Sequence, residues 1–130
     1  PELADLATRF VTSQIRRFPL DLAKQIEALV ESQVASGACF APMIAQQLSL
    51  ALRTMQRRLH SQGLEFEDIV DRVRRRRAEK LLSEPAIPLN QIHYLLGYTE
   101  QSTFIRSCSR WFGKTPGSIR EEARKPSAGA

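Results

Sequence analysis

The chain has 130 residues, enough for one or two small domains, and 42% of them are hydrophobic, which supplies a core and excludes wholesale disorder. No apolar run approaches the roughly 20 residues of a membrane span, and no charged-then-apolar leader opens the chain. Cys39 and Cys108 are too few for a disulfide scaffold, so a cytoplasmic, reducing setting is expected, and the start at Pro1 fits an excised fragment.

The net charge is +5, from 19 Lys+Arg against 14 Asp+Glu, and it is uneven. Between Arg53 and Lys80 there are nine basic residues (Arg53, Arg57, Arg58, Arg72, Arg74, Arg75, Arg76, Arg77, Lys80) and five acidic ones. Arginine dominates, and its planar fork suits bidentate contact with phosphates and guanine edges. The bland alternative is a solvated basic face.

Helical periodicity runs through almost every segment, which predicts an all-α fold. Residues 2–18 carry Leu3, Leu6, Ala7, Phe10, Val11, Ile15 and Phe18 on one stripe, ended by Pro19. A second helix is expected over 20–36, with Leu22, Ile26, Leu29 and Val30 inward and Gly37 as its stop. Pro42 suits the first turn of a short helix to Leu48. A helix over 51–62 is closed by Gly63, and a long one follows over 66–83, with Phe66, Ile69, Val70, Val73 and Leu81 inward. SEPAIP is a turn, since two prolines three apart cannot continue a helix. A short helix over 89–96 breaks at Gly97. Thr99 is then expected to cap a helix over 100–112, which Gly113 stops. Thr115 caps a last helix with Pro116 at its first position and Arg124–Lys125 near its negative end. Residues 126–130 read as a frayed, disordered tail.

The unit "short helix, tight turn, second helix" occurs twice. Ile44-Ala45-x-x-Leu48-Ser49 matches Ile92-His93-x-x-Leu96-Gly97, and Met55, Arg57 and Leu59 match Phe104, Arg106 and Cys108. The spacing has the form of a helix-turn-helix. The division expected is residues 1–36 as a helical linker or a remnant of a preceding domain, then a tandem module over 37–125. Its first motif lies at about 41–62, its linker helix at 66–83 and its second motif at 89–112. Both second helices sort their faces alike. Leu52, Met55 and Leu59, or Phe104, Cys108, Trp111 and Phe112, turn inward. Arg53, Gln56, Arg57 and His60, or Gln101, Ser102, Ile105, Arg106 and Ser109, turn outward. Amides and guanidiniums are the side chains with bidentate matches to adenine and guanine edges in the major groove, and a carboxylate there would meet phosphate repulsion.

The segments IAQQL, RTMQRRL, VRRRRAEKLL and LLGYTEQSTFIRSCSRWFGKTPGSIR resemble the DNA-binding region of the AraC/XylS family of bacterial transcription activators, over about two thirds of the chain. LLGY, the S-x-F-x-R spacing and GKTPG are the most specific pieces. The resemblance implies two homeodomain-like helix-turn-helix subdomains joined by a long linker helix, with recognition helices entering successive major grooves about 34 Å apart. Carried over by position, the base-reading residues would be Arg53, Gln56 and Arg57, then Gln101, Ser102 and Arg106, with Ile105 against a thymine methyl. Arg58, His60, Thr99 and Ser109 would contact phosphates. The partner implied is double-stranded DNA. RNA polymerase is a further candidate, as is a homodimer formed through a missing N-terminal effector-binding or dimerisation domain, whose edge the 2–18 stripe would be. No enzyme activity, cofactor or metal is expected: Cys39, His60, His93 and Cys108 lack the close spacing of a zinc site. The rival reading is a basic helical module that docks on an acidic protein such as RNA polymerase.

Four positions depart from the family pattern. Ala51 and Leu52 replace the usual capping serine and the following proline, which weakens that helix start by about 1 kcal/mol. His93 stands where a small residue is usual, Cys108 where an inward aromatic is usual, and Arg77 where an apolar residue is common. His93 and Cys108 are expected to offset each other in volume.

Overall fold

The computed structural model describes residues 21–37 and 39–124; the stripe on 2–18, Lys125 and the tail at 126–130 lie outside them. Among the described residues seven α-helices follow in order: α1 Asp21–Gln33, α2 Ala41–Gln47, α3 Leu52–Ser61, α4 Phe66–Leu82, α5 Leu89–Leu95, α6 Gln101–Phe112 and α7 Pro116–Arg124. A single 3-10 turn, Val34–Ser36, extends α1, and no strand occurs among the described residues.

Helix starts and stops follow local chemistry. Pro42 occupies the first turn of α2, where a missing N–H costs nothing. At the start of α4 the Glu65 N–H donates to the Asp68 carboxylate at 3.3 Å. Thr115 caps α7 as expected, its Oγ1 accepting from the Ser118 N–H at 3.1 Å. Thr99 does not cap α6: the residue before that helix is Glu100, and its side chain makes no capping bond. Ala51 precedes α3 and likewise offers none.

The apolar stripes meet in two cores. Leu22, Ile26, Val30 and Val34 close on Ile44 and Ala45 of α2, Met55 and Leu59 of α3, and Phe66, Ile69, Val70 and Val73 of α4. Ala78 and Leu82 of α4 build the second core with Ile92, Leu96, Phe104 and Cys108, and Ile119 of α7 packs against it. The boundary expected at residue 36 therefore falls inside the first core. Leu82, not Leu81, is the buried leucine at the end of α4, and Leu81 is only partly covered. Leu29, Leu52, Trp111 and Phe112 are half-buried rather than interior. Each fully buried aliphatic or aromatic side chain contributes about 1.5–3 kcal/mol. One continuous 17-residue helix, about 25 Å long, serves both cores.

The internal repeat is reproduced in the backbone. Ser49 and Gly97, equivalent in the two motifs, both adopt left-handed conformations, with φ of 57° and 83°. Only Gly97 must be glycine for space. A Cβ built there would lie 2.0 Å from the Val34 carbonyl oxygen. The end of α1 is thus wedged against the turn of the second motif.

The arginine run of α4 is largely structural. Arg74 donates to the Leu96 carbonyl at 2.9 Å and lies 4.4 Å over the Tyr98 ring. Arg76 pairs with Glu27 and Glu31. Arg77 donates to the Glu31 carbonyl at 2.9 Å, which accounts for a cation where an apolar residue was expected. Arg75 approaches Glu79 at 3.6 Å. Asp71, on the same helix, accepts two bonds from Arg110, at 2.9 and 2.8 Å, and one from Trp111 Nε1 at 3.0 Å. The Arg110 hydrogen bonds hold its carboxyl below the usual carboxylate range. Arg120 of α7 donates to the carbonyls of Leu82, Ile87, Leu81 and Glu84, and so satisfies the C-terminal end of α4 and the turn after it.

Candidate nucleic-acid interface

In α3, Met55 and Leu59 point into the core, which turns Arg53, Gln56, Arg57 and His60 outward at helical spacing. Gln56, Arg57, His60, Ser61 and Glu65 line one shallow depression, and His60 Nε2 lies 3.9 Å from a Glu65 oxygen. Arg58 sits on the opposite flank from Gln56 and is exposed.

In α6, Phe104, Ser107 and Cys108 are buried, which turns Ser102, Arg106 and Ser109 outward, with Gln101 and Ile105 beside them. Ile105 is 41% exposed, an isolated apolar group on a polar face. Thr99 is exposed just ahead of the helix. Tyr98 OH and Ser107 Oγ, 2.9 Å apart, tie the turn to the inner side of α6. Burial pushes the Cys108 thiol up to about 11, so it is a neutral core group. His93 is also buried, and its Nδ1 has no partner among the described residues.

The arginines divide sharply. Those at 74, 75, 76, 77, 110 and 120 are bonded or ion-paired within the chain. Arg53, Arg57, Arg58 and Arg106, and also Arg72 of α4 and Arg124 of α7, are exposed and have no hydrogen-bond or ion-pair partner among the described residues. A free guanidinium fork held on a helix beside free amides can bind phosphate oxygens or the acceptor edge of guanine. Sequence reasoning missed Arg74, Arg120 and the Asp71–Arg110–Trp111 cluster. Only coordinates distinguish a guanidinium that meets a carbonyl from one that meets water. It also passed over Glu100, an exposed carboxylate at the tip of α6. Among the described residues no three His, Cys, Asp or Glu side chains come together as a metal site.

Two helix-turn-helix units on one shared helix, each presenting an unpartnered amide-and-guanidinium face, define the class of tandem helix-turn-helix DNA-binding modules. A family model described as a helix-turn-helix domain matches residues 44–122. The HTH-type transcriptional regulator VirS of Mycobacterium tuberculosis is 42% identical over 120 residues, which is 92% of this chain and 35% of VirS. Among solved structures, a DNA-binding transcriptional dual regulator from Escherichia coli K-12 superposes with a TM-score of 0.75 at 18% identity, covering 78% of this chain and 91% of that one. The C-terminal domain of AraT, a response regulator from Geobacillus stearothermophilus, gives 0.71 at 17% identity, covering 82% and 89%. At those identities the structures show the fold. This chain belongs to the AraC-type helix-turn-helix family of transcription regulators. It spans about a third of the length of VirS.

Proposed function

We propose that α3 and α6 are recognition helices that enter adjacent major grooves on one side of a DNA duplex, within a module comprising residues 21–124. Arg53, Gln56 and Arg57 read base edges in one half-site. Gln101, Ser102 and Arg106 read the other, with Ile105 against a thymine methyl. Arg58, His60, Thr99 and Ser109 hold phosphates, helped by the open N–H groups at the uncapped start of α3. The observation that carries this reading is the split among the arginines: of the six without a partner among the described residues, four lie on the two second helices, Arg53, Arg57 and Arg58 on α3 and Arg106 on α6, and the others are Arg72 and Arg124.

Counterion release supplies much of the affinity, so the logarithm of the binding constant should fall with the logarithm of salt by about 0.9 for each phosphate neutralised. Selection from a pool of random duplexes tests the proposal. The expected product is a motif of two half-sites with centres about one helical turn, ~10.5 base pairs, apart. Enrichment of no motif, alongside capture of acidic protein, would support the rival reading of a module that docks on a protein partner.

A further inference from the structure

We propose that the carboxylate of Glu100 is a specificity-determining group of the second half-site, accepting a hydrogen bond from the N4 amine of a cytosine. This rests on the reading of α6 as a recognition helix. Glu100 immediately precedes that helix, with extended backbone (φ −128°, ψ 140°). Glutamate is not one of the short side chains that favour this capping position, and the Glu100 carboxylate makes no bond to the free N–H groups of the first turn. Its polar contact is Ser102 Oγ, which donates to it at 3.4 Å, and no cation among the described residues pairs with it. Several acids on the helices are paired, Asp71 with Arg110, Glu31 with Arg76 and Glu122 with Lys114; Glu67 and Glu121 are exposed and unpaired among the described residues, but neither stands at the tip of a proposed recognition helix. Glu100 is therefore an exposed acceptor with spare lone pairs, steadied by Ser102, one of the proposed base readers.

Its placement and its charge point to one base. The N-terminal residues of a recognition helix are those that reach base edges. Guanine offers O6 and N7 and thymine offers O4 there, all acceptors that repel a carboxylate. Adenine sets its N6 amine beside the N7 acceptor, whereas cytosine presents a lone donor, N4. A carboxylate held among phosphates also weakens binding to every duplex that offers it no donor. Glu100 thus acts as a filter. It lowers affinity for sequence at large and returns that loss only where cytosine stands opposite.

The experiment is the same duplex selection, run on the wild-type chain, Glu100→Gln and Glu100→Ala, followed by titration of the selected duplex, its single-base variants at that position and a random duplex at one salt concentration. Circular dichroism checks that helix content is unchanged. The wild type should select cytosine at one position of the second half-site and bind the three other bases on the order of tenfold more weakly. Glu100→Gln should shift that position toward adenine, for which an amide is bidentate. Glu100→Ala should leave it without preference, and both variants should bind random duplex more tightly. A wild-type motif that both substitutions leave unchanged overturns the proposal while leaving the reading of α6 intact. So does a gain in affinity equal on all sequences, which would make Glu100 a simple repulsive charge. A wild type that selects no motif overturns the reading of α6 and this proposal with it.

Discussion

Gly97→Ala should be far more damaging than alanine at the other turn glycines, and the structure gives the reason in separable parts. The backbone at Gly97 has φ of +83°, so any side chain there costs about 1–2 kcal/mol in left-handed strain. The added Cβ would also stand 2.0 Å from the Val34 carbonyl oxygen and 3.2 Å from its carbon. Both are backbone atoms and cannot swing aside, so the 3-10 turn must retreat on the order of 1 Å, a gap that forfeits up to about half of the dispersion attraction across it. Val34 is fully buried, and opening its site forfeits much of the roughly 1.5–3 kcal/mol of an interior aliphatic side chain. The sum is about 3 kcal/mol or more. Gly63 and Gly113 have similar φ, +73° and +69°, but a Cβ at either meets nothing within 4 Å. Alanine there should cost only the strain, about 1–2 kcal/mol. Urea unfolding of the three variants measures the difference directly. Equal losses at all three positions would show that the wedge between α1 and the second motif has no energetic weight.

Other substitutions probe the interface and the cores. Arg106→Ala should relax preference at one or two base pairs by about 1–3 kcal/mol each, whereas Arg58→Ala should weaken binding to all duplexes alike and reduce the salt slope by about one; titrations on target and random DNA at several salt concentrations separate them. The carboxyl of Asp71 is held below its ordinary range chiefly by Arg110, so its contribution is fully present above the unfolded value near ~3.9 and is lost as pH falls through the lower folded value. Asp71→Asn should remove that acid-side component from the stability–pH curve and leave the slope above pH 6 unchanged, as followed by thermal melts across pH. His93→Ala should destabilise by about 1–2 kcal/mol, because the cavity left in the second core outweighs relief of the unpartnered Nδ1; a more stable variant in denaturant titration would show that His93 overfills its site.

Periodicity made the helices legible because burial on a helix repeats every three to four residues. Met55 with Leu59, or Phe104 with Cys108, announces an inward stripe before any partner is known. The repeated turn was legible for a similar reason: Ser49 and Gly97 occupy equivalent places, and their shared left-handed backbone bears out the match. Contacts between distant segments were not legible. Gly97 reads as a simple helix stop, and nothing near it in sequence points to the Val34 carbonyl. Arg74 to Arg77 read as a charged helical turn, yet they meet the Leu96 carbonyl, the Glu79 carboxylate, the acids of α1 and the Glu31 carbonyl. The face of α6 was legible as amide and guanidinium, but Glu100 at its tip was hidden by the expectation that Thr99 began the helix.

Those hidden contacts bear on how a two-part module reads one duplex. Half-site spacing is a geometric property, so the recognition helices must be fixed to each other rather than merely tethered. A single helix joining two small cores would bend and roll about its axis. Here α4 is braced along its length. Arg76 and Arg77 bind it to α1, Arg74 binds it to the end of α5, Asp71 binds it to Arg110 and Trp111 of α6, and Arg120 closes its C-terminal end. The 3-10 extension of α1 meets Gly97 as well, so one segment touches the first core and the second turn together. Exposed ion pairs singly contribute under about 1 kcal/mol. Guanidiniums that satisfy helix-end carbonyls contribute more, since those acceptors would otherwise be left without partners. Much of the basic surplus of α4 is thus spent on holding two reading heads at a set separation, and α1 is as much a part of that frame as the linker helix itself.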